Sequence, residues 1–343
     1  DINMKLITLI CMMLFSVSVY AKTFTFIVPQ KIGGGTSIWA SIVAKELEPH
    51  LGKIKIKHIP GARDIPGFNK FHNGLLNDDY NVMVSHGGNG VAFLIENVDY
   101  DYREYASIGL MNLNILAAKR LDANGKIKFA GGSGMAPEGF AMALLQCGPM
   151  DDIDGYITCF KGNVTWVRGM KNSERRLAFK RGELNATREN PAAYKKHVAT
   201  NSDATMWFHH GLLQPNGTHA DDPNHPGYML ETLYAQTYGE QPRGRMYNAY
   251  KLLKSFRDGL QKALWVRKDN PNKQRLIDAL YKIQDSAKIE AKVGKYNWLI
   301  GDEGDQQVKT LLSFITHDSL SDMVRFSNIA LGLKSKFKHN LVD

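Results

Sequence analysis

The stretch Thr23-Phe24-Thr25-Phe26-Ile27-Val28-Pro29-Gln30-Lys31-Ile32-Gly33-Gly34-Gly35-Thr36-Ser37-Ile38-Trp39 decides the fold class of this chain. Residues Thr23 to Val28 are β-rich and alternate, which predicts a strand. Pro29 to Gly35 breaks it with a loop. Thr36 and Ser37 suit a helix N-cap, and Trp39, Ile42, Val43 and Leu47 follow at helical spacing until Gly52. Lys53 to Ile59 alternates again, and Tyr80 to Ser85 is a further β-rich run before a second glycine loop. Strand, loop, helix and strand in repetition predict an α/β fold with a largely parallel sheet.

The middle of the chain repeats this plan. Ile127 to Ala130 is expected as a strand, Gly131 to Ala136 as a loop, and a helix from Pro137 through Leu145. Tyr156 to Phe160 is expected as a strand, Asn172 to Arg181 as a helix, and Glu183 to Ala186 as another strand. Residues 187–227 are rich in Asn, His, Pro, Asp and Gly and receive no assignment. The last quarter is helical, with a helix after Asn270-Pro271, one ending at Gly294, and two over Asp305–Thr316 and Ser319–Leu333. Strand-like stretches at Asn114 to Ala118 and Ala263 to Val266 are candidate crossovers. They divide the chain into lobe one (22–117 and 263–343) and lobe two (118–262).

At the N-terminus, Met4-Lys5 precedes an apolar run from Leu6 to Val19, with the small residues Val19 and Ala21 at its end. This pattern predicts a cleaved leader over residues 1–21, Asp1–Asn3 being an upstream remnant, and a mature protein from Lys22 exported to the periplasm. The run falls short of the ~20 residues that cross a bilayer. The formal net charge is +9. Export argues against a nucleic-acid partner, and scattered lysines such as Lys53, Lys55 and Lys57 resemble a solvated strand face.

Three glycine loops each follow a predicted strand: Gly33-Gly34-Gly35, Gly87-Gly88-Asn89-Gly90 and Gly131-Gly132-Ser133-Gly134. Glycine lets a backbone approach a ligand, and a helix N-terminus behind it offers unpaired N–H groups to an anion. In open α/β sheets such loops lie at the carboxyl ends of the strands. Each could equally be a tight turn. No loop has the Gly-Lys-Thr/Ser ending of a P-loop or a dinucleotide fingerprint. Met135 replaces the last glycine of a nucleophile elbow, so no cofactor and no nucleophile is signalled. His209, His210, His219 and His225 with Asp221 and Asp222 allow a metal site or a solvated loop. Cys147 and Cys159 allow a disulfide or two buried thiols.

Phe26-Ile27-Val28-Pro29 with Gly33-Gly34-Gly35-Thr36 resembles the opening of the tripartite tricarboxylate transporter receptors, the Bug family. So do Ile59-Pro60-Gly61-Ala62 with Gly67, the run Tyr80 to Ser85, Phe160-Lys161-Gly162 with Leu177-Ala178 and Arg181-Gly182-Glu183, and Asn270-Pro271. The resemblance covers most of residues 22–316 and is weakest over 187–250. It implies a two-lobed type II periplasmic-binding-protein fold with crossover strands between the lobes. It also implies a ligand carboxylate gripped by Gln30, Gly34, Gly35, Thr36, Ser85 and Gly87 in lobe one and by Gly132, Ser133 and Gly134 in lobe two; Lys31, Gly33 and Ser37 of the first loop are further candidates. Ser37 stands where many members have Asp, Arg63-Asp64 replaces Gly-Gly, and Asn185 stands where an Asp is common. With Lys31 added, these departures favour a more anionic ligand than an amino acid. The expectation is a monomeric periplasmic solute-binding protein, not an enzyme, that delivers a small organic carboxylate to membrane transporter subunits. The alternatives are a receptor that presents its ligand to a sensor kinase and an exported metal-dependent enzyme acting on an anion.

Overall fold

The computed structural model describes residues 22–132, 134–201, 203–336 and 341–342. The expected leader and Ser133 lie outside the described residues. β1 (Thr25–Val28) leads through the first glycine loop into α1 (Gly35–Leu51). β2 (Lys55–His58), α2 (Ile65–Asn73), β3 (Asn81–His86), α3 (Gly87–Ile95) and β4 (Tyr105–Asn112) follow. The chain then enters a second sheet through β5 (Leu116–Arg120) and continues with β6 (Ile127–Ala130), α4 (Pro137–Cys147), α5 (Ile153–Asn163) and β7 (Val164–Val167). Next come α6 (Asn172–Lys180), β8 (Ala186–Glu189), α7 (Pro191–His197) and β9 (Ala204–His209). A two-stranded ladder of β10 (Leu212–Leu213) and β11 (His219–Ala220) precedes α8 (Leu230–Tyr238) and α9 (Gly244–Asp258). β12 (Lys262–Arg267) returns to the first sheet, followed by α10 (Lys273–Lys282), α11 (Ala287–Val293), β13 (Asn297–Ile300), α12 (Asp302–Ser313) and α13 (His317–Ala330).

The first sheet has the order β13-β4-β12-β3-β1-β2, the second β7-β6-β8-β5-β9. Apart from β13 the two follow one plan. β2, β1 and β3 are parallel, as are β7, β6 and β8. In each sheet the next strand, β12 or β5, runs antiparallel and is the one that the chain enters on arriving from the other sheet. Lys262 at the start of β12 pairs with His86 at the end of β3 and with Met111 near the end of β4. Leu116 at the start of β5 pairs with Glu189 at the end of β8 and His209 at the end of β9. The crossover from Asn112 to Leu116 therefore joins the carboxyl edges of the two sheets. Four residue steps span at most ~14 Å, so the two edges lie close together at the crossover. This is the two-lobed α/β plan that the sequence predicts.

α9 stitches the halves together, packing against α3, α4 and α13, with Phe256 stacked on Phe93. The C-terminal part is divided. β12, α10, α11 and β13 lie in or on the first sheet, whereas α13 packs on α5 and α9, with Phe326 against Phe140 and Phe160. β5 lies wholly in the second sheet, so that sheet begins at Leu116.

Tyr156 to Phe160 forms part of α5 and not a strand. Ile153, Tyr156, Ile157 and Phe160 are buried at helical spacing, and Asp152 caps the helix by accepting from Gly155 N at 2.7 Å. The strand expected at Glu183 to Ala186 begins only at Ala186. Residues 187–227 hold β9, α7 and the short ladder as well as most of β8. Cys147, the last residue of α4, is disulfide-bonded to Cys159 of α5.

Candidate functional site

The carboxyl edge of the first sheet gathers charged groups around the start of α1. Gln30 Oε1 accepts from Thr36 N at 2.9 Å, and Gln30 Nε2 donates to Asp64 Oδ2 at 3.0 Å. His86 caps α3: its Nδ1 accepts from Gly88 N at 3.0 Å. Its Nε2 lies 2.7 Å from Asp64 Oδ2. Accepting at one nitrogen and donating at the other defines the neutral Nε2–H tautomer. Burial, the largest influence, lowers the His86 pKa and agrees with that form. Burial alone would raise Asp64, but the bonds from His86 and Gln30 and the charge of Lys262 hold its carboxyl below the usual range. Arg63 and Asp64 both keep the left-handed backbone that a Gly-Gly pair would adopt freely, with φ of 54° and 61°. The strain at Asp64 is offset by the bonds that its carboxylate accepts.

Lys262 completes this corner. Its Nζ donates to Thr36 Oγ1 at 2.9 Å. Burial, then Arg257 and Lys292, pushes its pKa down to about 7. Arg257, at the end of α9, has an η nitrogen 3.2 Å from Asp258 Oδ1. Asp258 is pushed up to about 7, chiefly by burial. From the second half come Arg188 of β8 and the fully buried Glu138 of α4, whose Nε and Oε1 lie 3.0 Å apart. Arg188 and Glu138 both act on Arg257 through space, so the charges of the two halves meet at α9.

The expected site residues fall into separate groups. At Gly35, Gly132 and Gly134 an added β-carbon would meet nothing within 4 Å, and the same holds at Gly33, whose φ is +85°. Gln30 and Thr36 are bonded to one another, and a β-carbon on Gly34 would lie 2.7 Å from Gln30 Oε1. Lys31 is exposed. Ser37 is buried and shares a hydrogen bond with His58 at 2.8 Å. Ser85 is buried and accepts from Trp265 Nε1 at 2.7 Å. Gly87 is closed off, because a β-carbon there would overlap the Arg257 carbonyl oxygen. Ser37, Ser85 and Gly87 thus each already have a protein partner. Ser133 lies outside the described residues.

Sequence reasoning missed Lys262, Arg257, Asp64 and His86. Lys262 is the informative case. It stands beside the predicted strand Ala263 to Val266, and only the antiparallel register carries it to the loop edge.

The histidine-rich segment is largely tied up. His209 Nε2 lies 2.9 Å from Asp221 Oδ1, and His210 Nδ1 lies 2.7 Å from Tyr250 Oη. His219 is in β11. Burial holds all three histidines below their usual pKa. Among the described residues no three His, Cys, Asp or Glu side chains are grouped to hold a metal ion. A cavity of ≈ 990 Å³ lies between α7 and α11, over Asn112 and Asn114. None of the expected ligand residues lines it. Among the described residues no helix is long and apolar enough to cross a membrane.

No family model and no curated protein matches the chain. Solved structures do. A TctC solute-binding protein from Polaromonas matches at 15% identity with a TM-score of 0.59, over 89% of this chain and 99% of that one. The periplasmic binding protein BugD matches at 14% identity and TM-score 0.52, over 90% and 98%. MatC from Rhodopseudomonas palustris with bound malate matches at 15% identity and TM-score 0.51, over 90% and 98%. The chain has the fold of the periplasmic solute-binding proteins. Its two similarly ordered sheets are the two lobes of that fold. Gly35 and Lys262 lie at the carboxyl edge of the first sheet.

Proposed function

We propose that this chain is a periplasmic receptor of the tripartite tricarboxylate type. It captures a small carboxylate between its lobes and delivers it, unchanged, to membrane transporter subunits. The observation that carries this reading is the corner where Gly35 presents open backbone at the start of α1 beside the ammonium of Lys262. Backbone N–H groups and a cation there suit a carboxylate. Gly132 and Gly134 face the same class of ligand from the second lobe. The ligands held by proteins of the same fold, malate in MatC and adipate in another R. palustris protein, are of this class.

On this reading the protein works as a monomer without a cofactor. The segment 209–225 is structural, because His209 is bonded to Asp221 and His210 to Tyr250. Native mass spectrometry of protein purified from the periplasm, followed by a thermal-shift screen of organic acids, tests the proposal. One small carboxylate per chain, with a stabilisation that saturates, is expected. Stabilisation by sugars or by amino acids alone, with no response to any organic acid, would refute it.

A further inference from the structure

Lys262 reaches the cleft through sheet register alone. As the first residue of an antiparallel strand it sits opposite His86 and Met111, at the edge where the parallel strands end. Its ammonium is anchored by Thr36 Oγ1 in the first turn of α1. The acid that faces it, Asp64, is already committed, since its Oδ2 is bonded to both His86 and Gln30. The other groups acting on Lys262 are cations, Arg257 from α9 and Lys292 from α11. His86 beside it is neutral. Asp258 belongs to Arg257. Among the described residues, no carboxylate is hydrogen-bonded or ion-paired to the Lys262 ammonium, whose bond is to the Thr36 hydroxyl.

We propose that Lys262 reads the charge of the ligand: its protonated ammonium pairs with one carboxylate at the first turn of α1, Arg257 favours a second, and the cleft selects a dicarboxylate whose binding takes up a proton. This rests on the reading of the chain as a carboxylate receptor. An amino acid would bring its own ammonium toward this corner, and a monocarboxylate would leave Arg257 unanswered. With the ammonium pushed down to about 7 in the free protein, a carboxylate at contact distance restores its affinity for a proton. Below that pH the site is charged before the ligand arrives. Above it, each unit of pH costs up to about tenfold in affinity, until the pKa of the complex is reached.

The test is calorimetric titration of the full chain with succinate, malate, adipate and butyrate. It is run at about pH 6, 7.5 and 9, in buffers of different ionisation enthalpy, to span the titration of Lys262. For at least one dicarboxylate, affinity should fall about tenfold or more from the lowest to the highest pH, with proton uptake at the upper values, and butyrate should bind more weakly. Lys262→Met should weaken binding at low pH and remove the slope. Lys262→Arg, charged throughout, should bind without a slope, which a merely structural lysine would not produce. A flat profile in the wild type would overturn the proposal. So would a slope that persists in Lys262→Met, which would point to Asp258, or butyrate binding as tightly as succinate. If no carboxylate binds the wild type at any pH, the receptor reading itself falls. Binding without a slope sinks only the role of Lys262.

Discussion

Glycines of the loops do two different jobs, and the letter in the sequence does not tell them apart. Gly87 lets the last turn of α9 press its backbone onto the start of α3, and Gly131 makes room for the ring of Trp166. Gly35, Gly132 and Gly134 border open space instead. Gly87→Ala should therefore destabilise the protein by ~1–3 kcal/mol, because the obstacle is backbone and cannot rotate away. An unchanged midpoint in denaturant unfolding would contradict this. The same ambiguity limits what was legible of the site. Glycine loops follow β1 and β6 as expected, whereas Gly87-Gly88-Asn89-Gly90 is the first turn of α3, and side chains such as Ser37 and Ser85 carry no mark of whether they turn toward a cleft or a core. Lys262 was invisible for a different reason. Its place depends on a strand pairing with residues 86 and 111, far away in the chain.

Among the elements, those with a single strong period were read well. Ile127 to Ala130 is a strand over the residues expected, and α1 ends at Leu51, just before the predicted stop at Gly52. α5 was misread because Tyr156-Ile157-Thr158-Cys159-Phe160 is short and β-rich, whereas its helical period shows only when Ile153 is included. Segment 187–227 carries no clear period because its strands are short and their partners lie in β5 and across the ladder. The pairing of α4 with α5 is locked by Cys147 and Cys159, a separation of 12 residues. Replacing both cysteines with serine should cost ~2–3 kcal/mol by freeing that loop in the unfolded chain. Denaturant unfolding of oxidised wild type against the double variant measures this. Equal stability would mean that the disulfide adds nothing beyond the packing of the two helices.

The whole molecule is two sheets built to one order, with their carboxyl edges joined by a short crossover and bridged by α9. The α/β class was legible in advance, because alternation of strand, glycine loop and helix fixes it, and the resemblance implied two lobes; α9, which bridges them, carries no assignment in the sequence reading. What makes the arrangement a receptor, on the reading proposed, is that neither edge alone encloses a small anion. Capture then depends on closure about the crossover, a hinge motion confined to a few element-ending residues. Gly35 gives the cleanest probe of this claim. It borders open space, so a leucine there fills the cleft without striking the protein. Small-angle scattering of wild type and Gly35→Leu, each with and without a saturating dicarboxylate, is the decisive measurement. The account predicts that the wild type becomes more compact with ligand and that Gly35→Leu, with an unchanged thermal midpoint, does not. A wild type that keeps its dimensions at saturation, or a Gly35→Leu protein that closes as the wild type does, would contradict it.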